Sequence, residues 1–304
     1  MTGELFIALS RLPQLQDLSL TFWSPGFSFV DRDLRDLPKK KIKHHDEPSK
    51  DIPFRSLERI DMSNSDFMMT ETLRCGLQLL KLVGLTYWYS SPDLTIAFMG
   101  SLHKICPNLE EISISTHVNL PFQAIRSLLK CPALVKIVSD NIVDMDLEAI
   151  AIIATNHSSW QVIDLPSAKA LSYQALIPFA RNCPDLYKLS LTLDSKLGIP
   201  DPNTFPMGVK FSSLTLLIVG VSELTPNPEL ALFLSKICTR PIEITSYSVT
   251  WKSIEKLVNV LITTQLEIQT LKDENTLLYA QKLIKITTHI VSEAHVLVQC
   301  LSTV

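Results

Sequence analysis

A single apolar pattern recurs along the chain and limits its possible folds more than any other feature. The pattern is Leu-x-x-Leu-x-Leu, in which other apolar residues can substitute, and it occurs in eight copies. They begin at Leu15, Leu57, Leu77, Leu109, Leu134, Trp160, Leu186 and Leu214. From Leu109 onward the copies are 25, 26, 26 and 28 residues apart, whereas the earlier steps of 42, 20 and 32 residues are irregular. A period of this length indicates one supersecondary unit that stacks on the next.

The alternation inside each copy is typical of a short strand with one buried face. Helical periodicity fills the segments between copies, at residues 93–105, 122–130, 147–156, 173–182 and 229–237. Ser91-Pro92 and Asn227-Pro228 each place a capping side chain before a proline at the first helical position. The repeated strand and helix predict an α/β solenoid with a curved parallel sheet and outer helices, and a degenerate ninth strand at 242–244.

Three copies open with Cys-Pro-x-Leu, at Cys106, Cys131 and Cys183, and Cys238 has the same phase after a similar helix. These copies, with the phrases CPNLEEISIS and CPDLYKLSLTL, resemble the cysteine-containing leucine-rich repeats of fungal-type F-box proteins. The resemblance covers roughly residues 1–246, which we expect to form the leucine-rich-repeat solenoid. The asparagine that commonly follows such strands is replaced here by Trp23, Ser65, His117 and Ile142, so irregular turns are expected.

The resemblance implies a function in protein–protein interaction, namely substrate recognition for an SCF-type ubiquitin ligase. We identify no F-box helix in the sequence. Binding to the ubiquitin-ligase adaptor is therefore expected only if an F-box is supplied upstream. The alternative is a leucine-rich-repeat scaffold without ubiquitin coupling, dimerised through its C-terminal helix.

Composition narrows the classes of function. The formal net charge is −3, from 28 basic and 31 acidic residues, which argues against a nucleic-acid binder. We find no signal peptide and no apolar run long enough to span a membrane, so a cytoplasmic or nuclear protein with an unidentified protein partner is expected. No nucleophile motif, phosphate-binding loop or zinc spacing occurs, so we predict no enzyme activity, no cofactor and no metal site.

Two segments differ in composition from the repeats. In residues 31–53, 13 of 23 residues are charged and three are proline, which predicts a solvated insertion loop. Within it, Lys39–Lys43 fits either a plain solvated loop or a nuclear-import signal. From 247 to 304 neither glycine nor proline occurs, and apolar residues follow a helical seam that includes Ile254, Leu257 and Leu261. This segment is either a helical C-terminal cap or a coiled-coil segment that dimerises.

Two clusters could bind metal but have simpler structural explanations. One thiol per repeat at the same position is typical of a core residue, because zinc ligands usually come in close pairs. Asp140, Asp144, Asp146 and Glu148 form an acidic cluster. Asp146 as a helix N-cap and Glu148 in the first turn explain this cluster better than a calcium loop, which needs more ligands and a glycine.

The candidate binding surface is the concave strand face. Side chains that flank the apolar positions of each strand should point to that face. The residues that we expect to bind are Asp17, Arg59, Asp61, Lys81, Glu111, Ser113, Lys136, Asp164, Lys188 and Ser190. The eighth strand differs, because Leu216 and Ile218 occupy these positions; either the tail covers them or they form the apolar centre of the site.

The insertion can be tested by limited proteolysis of the native chain. We expect trypsin to cut first near Lys39–Lys43 and to leave the repeats intact, because a solvated segment adapts to a protease at little cost. Mass spectrometry of the earliest fragments locates the cut. Early cleavage inside residues 109–220 would contradict the assignment of the repeats.

Overall fold

The structure is a computed structural model that describes residues 14–21, 57–63, 84–89, 92–116, 119–140, 142–167, 169–201, 208–220, 228–246, 249–273 and 285–290. It forms two compact units, Met1–Leu134 and Val135–Val304. The insertion 31–53 and Lys81 lie outside the described residues. No helix in the described ranges combines the length and the apolarity that crossing a bilayer requires.

Within its described residues, the first unit contains four strands that pair in parallel. They are β1 (Asp17–Thr21), β2 (Arg59–Ser63), β3 (Gly84–Tyr89) and β4 (Glu111–Thr116). Helix α1 (Pro92–Ile105) connects β3 to β4, and α2 (Phe122–Leu128) follows the short strand β5 (Leu120–Pro121). As expected, α1 begins at Pro92. A backbone N–H in the first turn of a helix has no acceptor within the helix, so proline, which lacks this N–H, costs the helix no hydrogen bond there.

The second unit repeats the same alternation. Its parallel strands are β6 (Lys136–Ser139), β8 (Val162–Asp164), β9 (Lys188–Ser190), β10 (Leu216–Ile218) and β11 (Glu243–Thr245), and β7 (Ile142–Val143) lies outside that sheet. The helices are α3 (Leu147–Asn156), α4 (Leu176–Asn182), α5 (Pro228–Ile237) and α6 (Val249–Asp273). A 3-10 turn, Tyr173–Ala175, precedes α4. The predicted α/β class with parallel strands is confirmed, and the predicted ninth strand is present as β11.

The third copy of the apolar pattern was placed wrongly. The strand that pairs with β2 and β4 is Gly84–Tyr89, and Leu85 lies in register with Ile60 and Ile112. The sequence from Leu77 to Tyr87 contains two overlapping matches, and the register selects the later one. The spacing of the aligned residues 60, 85 and 112 is then 25 and 27 residues, so the irregular steps after residue 57 disappear.

One face of each sheet forms the core. On the parallel strands β6, β8, β9, β10 and β11, the residues that the register aligns are 0% exposed: Ile137, Ile163, Leu189, Leu217 and Ile244. Trp160 replaces the first leucine of its repeat and is also fully buried. Its indole N–H donates to the carbonyl oxygen of Ile153 at 2.9 Å, which satisfies the one polar group that tryptophan brings into the core.

Beyond the strands of the second unit, small hydroxyl residues link neighbouring repeats. The Ser167 hydroxyl donates to the Ile142 carbonyl at 3.3 Å, and the Ser167 N–H donates to Thr192 Oγ1 at 3.2 Å. Two repeats further on, the Ser246 hydroxyl donates to the Gly220 carbonyl at 3.3 Å. Ile142 is one of the positions at which the resemblance led us to expect asparagine, and it forms a parallel bridge with Ser167. Hydroxyls of Ser167, Thr192 and Ser246 therefore link segments that follow the strands of this unit.

Glycine at position 220 fits this row of hydroxyl contacts for a steric reason. Gly220 has a φ of +63°, and a Cβ added there would lie 3.3 Å from Thr192 Oγ1. A larger residue at position 220 would therefore have a strained backbone, and its Cβ would crowd the Thr192 hydroxyl of the preceding repeat.

The contribution of these hydroxyls can be measured with Thr192→Val. We expect a loss of about 1–3 kcal/mol in the free energy of unfolding, because the Ser167 N–H loses its acceptor in a partly buried position. Urea denaturation provides the measurement. Thr215→Val is the matched control: the Tyr187 carbonyl that accepts from the Thr215 hydroxyl also accepts from two backbone N–H groups. Its cost should stay within about 0.5 kcal/mol, and equal losses in the two variants would argue against the inter-repeat role.

Candidate protein-interaction surface

In the first unit, the side of the sheet opposite the core presents charged and polar residues. Asp17 on β1 lies in register with Arg59 on β2, and both are exposed. Asp61, Glu111 and Ser113 are half-buried on the same face. Gly84 lies in register with Arg59 and with Glu111.

Lys81 was expected to contribute to this face. The shifted third strand changes that expectation, because Thr86 is the residue in register with Asp61 and Ser113. The position that we had assigned to Lys81 in the sheet therefore belongs to Thr86. The error has the same source as the misplaced strand, namely two overlapping apolar patterns.

In the second unit, an ion pair occupies the middle of the polar face. Lys188 Nζ on β9 lies 2.8 Å from Asp164 Oδ2 on β8, and the two side chains are 28% and 20% exposed. Because Asp164 is in register with Ser190, the pair is diagonal across neighbouring strands. Sequence spacing predicted both residues as separate contacts. Their pairing could not be read from it, because it depends on the strand register.

The other predicted residues of this face differ in accessibility. Lys136 is half-buried on β6. Ser190 is only 4% exposed, because its short side chain lies between the longer side chains of Asp164 and Ile218 in register. Val162, which lies between Lys136 and Lys188, is also 4% exposed. A partner that approaches this face would therefore meet the longer side chains first.

An apolar pair borders the ion pair. Leu216 and Ile218 on β10 are half-buried, and they lie in register with Glu243 and Thr245 on β11, which are both exposed. The principal contacts of α6 are with α5 and β11. The described part of the tail thus packs at the last strand, and the apolar pair keeps part of its surface accessible.

The four described cysteines are buried free thiols. Burial raises the pKa of Cys131 to about 11 and the pKa values of Cys183 and Cys238 to about 12, and it raises the pKa of Cys106 further, with a smaller contribution from Cys131. Such thiols stay protonated at neutral pH and pack as small apolar side chains. No group of three potential metal ligands occurs within the described ranges.

The acidic cluster has the structural role that its spacing suggested. Asp146 is the N-cap of α3, and its Oδ1 accepts from the Ala149 N–H at 2.8 Å. Glu148 lies in the first turn, where the helix dipole favours a negative charge. Asp144 has a φ of 59°, a backbone conformation that aspartate tolerates better than most residues.

No protein-family model matches this sequence, and no curated protein matches it either.

The buried thiols make a prediction about alkaline stability. Their ordinary pKa is 9.0, so the unfolded chain releases these protons at a lower pH than the folded chain does. The stabilisation is complete below pH 9 and is lost as pH rises toward 12, by up to about 1.4 kcal/mol per pH unit for each thiol. Urea denaturation between pH 7 and 11 measures it. Above pH 9, the free energy of unfolding of Cys183→Ala should fall less steeply with pH than that of the parent. Equal slopes would contradict a raised pKa of Cys183 in the folded chain.

Proposed function

We propose that this chain is a leucine-rich-repeat solenoid with a helical C-terminal cap, and that its exposed strand face recognises a substrate for an F-box type ubiquitin ligase. The repeat spacing, the parallel in-register strands and the buried cysteines support the fold assignment. The proposed activity is binding and not catalysis, and it uses no cofactor, nucleic acid or membrane. The proposed location is the cytoplasm or the nucleus.

One observation carries this proposal: the second unit presents an ion pair beside a half-buried apolar pair on short, regular strands. Strands hold their side chains in fixed directions, so a partner that binds there causes little further loss of backbone conformational entropy. A partner that covers the apolar side chains of Leu216 and Ile218 removes them from water, which favours binding. Asp164 and Lys188 provide directional hydrogen bonds and charge contacts. This combination is typical of a protein-recognition surface, where charge sets specificity and association rate more than affinity.

The second candidate function, a scaffold without ubiquitin coupling that dimerises through the tail, has its own supporting observation. The latter half of α6 has exposed side chains at residues 265–267 and 269–270, and Leu266 is 49% exposed. An apolar residue on a projecting helix is a suitable contact for a second helix. The two candidates differ in the surface that they use.

The test uses a charge exchange that preserves the ion pair. Asp164→Lys with Lys188→Asp keeps one cation beside one anion, so stability should change by less than about 1 kcal/mol while the charge pattern is inverted. We expect wild type, but not this double variant, to retain a stoichiometric partner from cell extract, with at least a tenfold loss by quantitative mass spectrometry. Glu267→Lys on α6 is the control and should retain the partner.

The same experiment separates the two candidates. Ubiquitin transfer to the retained partner, when an F-box is fused to the chain, supports the ligase proposal. A partner that is lost with Glu267→Lys and retained by the charge exchange would contradict binding at the strand face. A chain that forms a stable dimer through α6 and retains no substrate would favour the scaffold.

A further inference from the structure

The outer edge of β11 has backbone groups that no strand in the described ranges satisfies. β11 is the last strand in the order of its sheet. On its inner side, the Glu243 N–H donates to the Thr215 carbonyl at 2.8 Å, and the Thr245 carbonyl accepts from Val219 at 3.1 Å. Successive residues of a parallel strand bond to opposite sides, so the N–H and C=O groups of Ile242 and Ile244 face the outer edge.

Side chains of α6 occupy this edge. The Ile242 N–H donates to Asn259 Oδ1 at 2.9 Å, and Asn259 Nδ2 donates to the Ile242 carbonyl at 2.9 Å. The Ile244 N–H donates to Glu255 Oε2 at 3.0 Å. A carboxamide has one donor group and one acceptor, so Asn259 makes the same pair of bonds with Ile242 that a neighbouring strand would make.

The helix holds these two side chains in place through a separate apolar face. Asn259 and Glu255 are four residues apart and therefore lie on the same side of α6. Trp251, Ile254, Val258 and Ile262 are between 0% and 2% exposed and anchor the helix. Lys252 Nζ, 3.2 Å from Glu255 Oε2, offsets the charge of that carboxylate. The hydrogen bonds to the edge are thus additional to the packing.

We propose that α6 is an edge guard that closes β11 to strand addition, and that the partner it excludes is a second copy of this chain. An open strand edge is a template for another chain, and an edge paired antiparallel with itself about a two-fold axis satisfies the same groups on both copies. Each copy carries the same three edge groups, the Ile242 N–H and C=O and the Ile244 N–H, which α6 binds in the single chain. The inference rests on the contacts of α6 and is independent of the proposed substrate function.

The guard also limits how any partner can bind. An extended peptide cannot add to β11 while Asn259 and Glu255 occupy its hydrogen-bonding groups. Recognition through the main chain at this end of the sheet is therefore blocked, and the side chains of the strand face remain accessible. The contacts of α6 thus favour recognition by side chains over recognition by strand addition.

The test replaces the carboxamide by an isosteric apolar group in the full chain, with Asn259→Leu. Native-state hydrogen exchange should show at least about a tenfold loss of protection at the Ile242 amide, because that N–H loses its acceptor. Protection of the Leu217 amide inside the sheet should not change. Light scattering should show a mass that rises with concentration toward two chains, because the Ile242 N–H and C=O left without partners favour displacement of α6 from the edge by a strand of a second copy. Lys256→Leu, at an exposed position of the same helix away from the surface around Leu266, should leave both measurements as in wild type.

A second variant keeps the inference falsifiable if Asn259→Leu is unstable. Asn259→Asp retains the acceptor for the Ile242 N–H and removes the donor to the Ile242 carbonyl. It should keep the Ile242 amide protected and dimerise less than Asn259→Leu. The proposal fails if Asn259→Leu stays monomeric at all concentrations, if the Ile242 amide keeps its protection there, or if the control dimerises equally.

Discussion

Hydrogen bonds from each parallel strand to the next constrain the remainder of this structure. In the second unit, Gln161 donates to the Val135 carbonyl, Tyr187 to the Gln161 carbonyl, and Thr215 to the Tyr187 carbonyl. A strand of three residues cannot satisfy its backbone alone, so every repeat depends on its neighbours on both sides. This dependence explains why the repeats are nearly equally spaced along the sequence. Strands that pair in register need each intervening helix and its turns to span the same distance from one strand to the next.

Sequence reasoning succeeded where the physical signal was local. Pro228 starts α5, Asp146 caps α3, and residues 147–156 form the helix that their periodicity predicted. It failed at β3, because the leucines around residue 80 allow two phases of the same pattern and only pairing with β2 and β4 decides between them. The predicted surface shows the same limit. Alternation placed Asp164 and Lys188 on the correct face, but their ion pair and the burial of Ser190 depend on neighbouring strands.

The tail shows how pattern and packing can differ within one helix. The predicted seam included Ile254, Leu257 and Leu261, whereas the buried stripe is Trp251, Ile254, Val258 and Ile262, and Leu257 and Leu261 are half-buried. A heptad pattern assumes that one partner helix runs along the whole seam, whereas α6 packs on both a helix, α5, and a strand, β11, and so buries a stripe of steps three, four and four. Trp251 reaches Tyr173, with ring centroids 6.3 Å apart, so the helix also contacts a much earlier segment of its unit.

Each parallel strand leaves backbone N–H and C=O groups at its outer edge that only the next element can satisfy. Within the second unit, backbone bonds between strands and the hydroxyls of Ser167 and Thr192 provide these partners from one repeat to the next. At β11, a carboxamide and a carboxylate on α6 replace the missing strand. A helix can end a sheet in this way only if its polar side chains match the spacing of the free backbone groups. Positions 255 and 259 provide that match, and the apolar stripe beside them holds the helix in place.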